Sequence, residues 1–450
     1  TVVLYRLLGP DEVGKLAFIM GVAATGSTIL MLGLDEVLAK FIPQISDKHK
    51  RSELYSLALL RVFTVFFLGL IGWMIVRSLF RVPEEVWKVY VPLLLFIGAT
   101  LVYNINAGFI RGVGRFNILP WLSAIRDLLP NIIAIGILAL CAVNFEVVFY
   151  TRTLFLLFLV GVSFVVIRFY LVCPRSLKIR ADSEVEKLAI FLLVGALFYT
   201  FYNSFDVIIL RSLLTSRDVG HYAAATRFPK LAQGLLLSPL QVPFLYYFSA
   251  SGSANQKYTI MKNATRIASI AMGALSLVFL GTADILLPLL LGSKYLPSVA
   301  VLKVYSPWIF LQGFFILSAA FFVSENRLEI DLFRSVTSVA VNVVLYFILI
   351  PRMGASGAAL AIVLALSVSL ALLVIILKRW FSLDMVKDCL GVVISYGFAF
   401  VVGMSVSGVL SLFVFVALIG LLRLTTLEEI SQIFRFMVRY EKGYVFSNRR

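Results

Sequence analysis

The chain has 450 residues, 61% of them hydrophobic and only 14% charged, with a mean hydropathy of +0.98. That leaves too little polar surface to coat a water-soluble protein of this size, so the soluble classes are excluded and lipid is the outer solvent. The 40 Lys and Arg against 24 Asp and Glu give a net charge of +16, but the excess lies in short segments between apolar runs, which speaks for a membrane topology and against nucleic acid as a partner.

A membrane span needs about 20 apolar residues. Windows of that length predict helices at 15–40, 53–79, 87–110, 117–141, 147–172, 187–211, 221–249, 260–291, 298–323, 331–350 and 355–378. The stretch from Cys389 to Arg423 is long enough for a short pair, broken near Gly403 to Gly408. Basic residues follow every second helix: Lys48, Lys50 and Arg51; Arg111 and Arg115; Arg175, Lys178, Arg180 and Lys187; Lys257 and Lys262; Arg327 and Arg334; Lys378, Arg379 and Lys387. These loops are expected in the cytoplasm, with Arg77 and Arg81 as a weaker exception on the other side. Both termini are then cytoplasmic, in a multi-pass protein of the cell membrane. Beyond Arg423, Thr426 and Glu429 form a capping box, and Leu427, Ile430, Ile433, Phe434, Met437 and Val438 recur at helical spacing. The segment 426–450 therefore reads either as an amphipathic helix on the cytoplasmic surface or as a tail packed on a loop.

An internal repeat orders the helices. Arg6-Leu-Leu-Gly-Pro-Asp-Glu-Val-Gly14 resembles Arg211-Ser-Leu-Leu-Thr-Ser-Arg-Asp-Val-Gly220 with one residue inserted. An offset of 205 carries Arg61 onto Arg266, and offsets of 212 and 211 carry Arg115 and Asn131 onto Arg327 and Asn342. Two homologous six-helix lobes, 1–180 and 181–380, are the simplest account, followed by an extra helix pair at 381–425. Arg211 is preceded by a full apolar helix, whereas Arg6 has five residues before it. The expectation is thus an all-α integral membrane protein of 14 helices, the first of them largely missing here.

An ionisable side chain deep in a span costs about 2.5–3.5 kcal/mol on insertion scales, so each one asks for a reason. Arg61 and Arg126 are expected at a similar depth in the first lobe, where they either face a common cavity or snorkel and pair with neighbouring carboxylates. Asp127 sits beside Arg126 but about 100° around the helix, so the two need not pair. Pro130 frees the Arg126 carbonyl, a break tolerated where it faces protein or water. In the second lobe Arg227 and Lys230 share a helix face, and Arg266 completes the set of candidate substrate-binding cations. Asp127 and Asp206 are the candidate ion-coupling acids; an Asp206–Arg227 salt bridge that fixes the fold is the structural alternative. Cys141, Cys173 and Cys389 have no CxxC spacing, and His49 and His221 make no metal pair. No HExxH, P-loop or GxSxG is present, so neither an enzyme nor a cofactor is expected.

The Arg6–Gly14 motif resembles the RxLGPxxYG signature of Wzx-type polysaccharide flippases, and Asp206 with Arg211 to Tyr222 is similar to its second-half counterpart. Arg327, Asn342, Pro351 and the small-residue run Gly354 to Ala361 resemble that family's later helices. The resemblance implies the exporter superfamily that joins multidrug, oligosaccharidyl-lipid and polysaccharide transporters: two lobes around a central cavity that rock between inward-open and outward-open states. It implies a polyprenyl-diphosphate-linked oligosaccharide as substrate, membrane lipid as surroundings, and glycosyltransferases or a polymerase of the same pathway as candidate partners. The rivals are a drug or cation exporter, a flippase for lipid II-type peptidoglycan precursors and, from another class, a non-transporting scaffold for glycosyltransferases.

Overall fold

The computed structural model describes residues 2–45, 47–79, 89–115, 118–140, 144–171, 204–237, 254–325, 327–381 and 386–422, together with 240, 244 and 248. Most of the expected 187–211 helix and the whole 426–450 tail lie outside the described residues. The helices are α1 (Val2–Met31), α2 (Leu34–Phe41), α3 (Lys48–Leu79), α4 (Tyr90–Gly112), α5 (Ile118–Leu140), α6 (Phe145–Ile167) and α7 (Asp206–Leu213). They continue as α8 (Ser216–Leu236), α9 (Ala254–Leu291), α10 (Pro297–Tyr305), α11 (Pro307–Ser324), α12 (Leu328–Phe381), α13 (Val386–Ser405) and α14 (Gly408–Leu421). Among the described residues the regular structure is helical throughout, and eight helices are long and apolar enough to cross a membrane. The all-α membrane class expected from composition is the one observed.

Local chemistry breaks the helices at three places, two of them inside expected spans. In α1 a kink falls at Gly9, whose φ of 75° suits a residue without Cβ, and Pro10 then opens the spanning part at a helix's first turn. The expected single helix 15–40 is two: Leu32 and Gly33 both take positive φ, 55° and 67°, so the chain turns before α2. The expected 298–323 helix is interrupted at Ser306, because Pro307 has no N–H to donate and starts a new helix instead. Two expected breaks are present, at Gly354 within α12 and at 406–407 between α13 and α14.

The chain divides into two compact units, Thr1–Gly220 and His221–Arg450. In unit 1, α4 is central and packs on α1, α2, α3 and α6. Asn106 of α4 is fully buried; it accepts a hydrogen bond from the Tyr55 hydroxyl on α3 (2.6 Å) and donates one to Ser163 Oγ on α6 (2.7 Å). Gly108 and Gly112 let α2 lie directly against α4, since a Cβ at Gly108 would run into the Asp35 carbonyl. Arg111 of α4 then reaches both Asp35 (3.5 Å) and Glu36 (2.5 Å). Burial pushes the Asp35 carboxyl up from its ordinary value, with the Glu36 charge adding and Arg111 opposing.

In unit 2, α9 is central and packs on α10, α11, α13 and α14. Ser276 of α9 donates to the Ser306 carbonyl (2.7 Å) and bonds the Tyr396 hydroxyl of α13 (2.6 Å). Tyr396 stacks on Phe310 of α11 at 3.9 Å between ring centroids. The extra pair α13–α14 is thereby fastened to the body of its unit by a satisfied buried polar group as well as by apolar contact.

Candidate functional site

A group of linked polar side chains in unit 1 lies where α4, α5 and α6 meet. Arg126 is eight residues into α5, about 12 Å along it. Its guanidinium stands 5.3 Å from the centroid of the Tyr103 ring on α4, and its Nε is 3.0 Å from Asp127 Oδ1. The pairing that the 100° separation left open is therefore made, because the arginine stem is long enough to turn back around the helix. Pro130 offers no N–H to the Arg126 carbonyl, and at the next position the Asn131 side-chain amide donates to the Asp127 carbonyl. The Oδ1 of Asn131 in turn accepts from Nη2 of Arg152 on α6 at 2.8 Å. A chain of contacts thus runs from Tyr103 through Arg126, Asp127 and Asn131 to Arg152.

This strip is not sealed in the protein: the Asp127 side chain is 65% and the Arg126 side chain 37% exposed. Charges at such depth are tolerated where they face a water-filled space or protein, and are expensive against hydrocarbon. An arginine can offer five donors in a planar fork, the geometry that grips phosphate oxygens two at a time. What the strip can do chemically is hold an anion.

Arg152 was missed by reading for charged residues in the apolar runs, although the signal was present. It is an arginine seven residues into an apolar span whose other charge, Glu146, sits in the first turn. The same cost argument that singled out Arg126 applies to it.

The remaining candidates are distributed as follows. Arg61 is half-buried on α3, about 20 Å from that helix's first residue, because α3 begins at Lys48 and not at 53. Asp206 is buried in the first turn of α7 and accepts from the Val207 N–H at 2.8 Å. In unit 2, Arg227 is exposed and Lys230 half-buried one turn on along α8, with Pro229 between them. Arg266 is half-buried on α9, with Nη2 3.5 Å from Asn263 Oδ1.

The fold is that of a class of polytopic helical transporters. A lipid II flippase MurJ in an inward closed conformation superposes with a TM-score of 0.69 at 13% identity, over 97% of each chain. An inward-facing multidrug resistance MATE family transporter of the MOP superfamily gives a TM-score of 0.62 at 16% identity, covering 82% of this chain and 90% of the other. A MOP superfamily transporter from Pyrococcus furiosus, described as having a binding pocket of reversed polarity, gives 0.56 at 14%, covering 82% and 88%. No curated protein matches the chain in sequence. Residues 1–249 match the family model described as polysaccharide biosynthesis protein, and the chain belongs to that family.

Proposed function

We propose that this protein is a flippase that moves a polyprenyl-diphosphate-linked oligosaccharide across the cell membrane by alternating access. The observation that carries the reading is the Arg126-centred strip: a guanidinium well inside a span, in a chain of a polysaccharide-biosynthesis family. Positive charge at that depth suits an anionic headgroup, and the prenyl tail can stay in lipid while the sugar and diphosphate cross. Arg61 in unit 1, and Arg227, Lys230 and Arg266 in unit 2, are the further cations proposed for substrate binding. Asp127 and Asp206 are the carboxylates available to exchange an ion and bias the two states. A drug or cation exporter would need carboxylates in place of this excess of cations. The flippase neighbour that handles lipid II keeps a peptidoglycan precursor as the second reading.

The test is transport. The full-length protein in liposomes should move a fluorescent polyprenyl-diphosphate sugar, and Arg126→Ala should cut the rate about ten-fold or more, the worth of a hydrogen bond to a charged group. If the wild type moves no such lipid but a gradient drives efflux of a cationic drug, the drug exporter replaces this reading. If a well-folded Arg126→Ala protein transports normally, the arginine is structural.

A further inference from the structure

Resting on the flippase reading, we propose that α5 and α6 form a two-cation site for the diphosphate, in which Arg126 and Arg152 supply the charges and Asp127 is a built-in competitor that the substrate displaces. Arg126 is held by Asp127, and Arg152 is held by Asn131 one turn further along α5. Their anchors are therefore about 6 Å apart along the helix, a spacing suited to two linked phosphate groups rather than one. The exposed Asp127 carboxylate occupies the guanidinium edge on which a phosphate oxygen would dock. An incoming diphosphate, with more charge and more acceptor oxygens, takes that edge and releases the carboxylate.

The experiment uses the full-length protein with fluorescent polyprenyl diphosphate and monophosphate sugars in liposomes, and inorganic pyrophosphate as a binding probe in detergent. Asp127→Asn removes the competitor and should tighten pyrophosphate and diphosphate-lipid binding about two- to five-fold, the range of an exposed ion pair. Arg152→Gln should abolish the preference for diphosphate over monophosphate, and Arg152→Lys should keep most of it. Elution as a single folded species is required of each variant. If Asp127→Asn weakens binding or leaves it unchanged, or if Arg152→Gln keeps the preference while the wild type still flips the lipid, the two-cation site is overturned and the flippase stands. If the wild type flips neither lipid yet binds pyrophosphate, more tightly in Asp127→Asn, the site stands and the flippase reading falls.

Discussion

Asn106 shows how a single side chain can hold three spanning helices together. Its amide is fully buried, accepts from Tyr55 on α3 and donates to Ser163 on α6, while the Ser163 hydroxyl donates a hydrogen bond to the Val160 carbonyl. Each member of the chain is bonded to the next, so removing one leaves a buried neighbour without that partner. Asn106→Ala should lower unfolding stability in detergent by about 1–3 kcal/mol. Pairing it with Tyr55→Phe should cost less than the two single changes summed, because the second substitution removes a group the first has already orphaned. An additive double mutant, read by thermal unfolding, would mean the two side chains act separately. The residue scale was the hardest to read from sequence. That Arg126 needs a partner was legible from its depth; that Asp127 is the partner was not, since backbone angle argues against neighbours pairing and only the stem's length permits it. Asn106 left no trace at all, because a lone amide in an apolar run says nothing of what faces it.

The repeat is visible in the packing of elements as well as in the letters. A Cβ on Gly14 of α1 would run into the Ser216 carbonyl, and a Cβ on Gly220 of α8 would run into the Pro10 carbonyl. Both glycine-to-glycine and proline-to-serine partners lie 206 positions apart. The end of the repeated motif is therefore the place where two equivalent helix starts cross backbone to backbone, which is why the motif closes on glycine in both copies. Gly14→Ala or Gly220→Ala should destabilise the protein by about 1–3 kcal/mol, the cost of overpacking, with the helices forced apart. Gly136→Ala and Gly161→Ala, where a Cβ meets nothing within 4 Å, should be neutral or stabilise by up to about 1 kcal/mol through helix propensity. Equal effects at all four sites would mean the crossing carries no constraint. At this scale the sequence was a good guide to where helices lie, since the length of an apolar window translates directly into a span. It was a poor guide to the turn after α1: Gly33 hints at it, but Leu32 at φ 55° has no signature in its letter.

At the scale of the whole molecule, the basic loops and the longest unbroken helix make a claim about sidedness. α9 has 38 residues, about 57 Å, against a hydrocarbon core of about 30 Å, so its ends project on opposite sides of the membrane. Lys257 and Lys262 mark its first end and Lys294, in the short turn after it, lies beyond the other. If the positive-inside rule governs this chain, Lys257 is on the cytoplasmic side with Lys50, and Lys294 is outside. Lys50 and Lys294 are both exposed and suit replacement by cysteine in a background lacking Cys141, Cys173 and Cys389. A membrane-impermeant thiol reagent applied to intact cells should label Lys294→Cys and spare Lys50→Cys; inside-out vesicles should give the reverse. The direction of transport that the strip would serve depends on this result, because Arg126 stands nearer the end of α5 that follows the Arg111 and Arg115 loop. With that loop inside, the anion strip meets a headgroup approaching from the cytoplasm and the polar path leads outward. Labelling in the opposite sense would turn the same strip towards the outer surface, and a site for cytoplasmic loading would have to be sought among the second-unit cations instead.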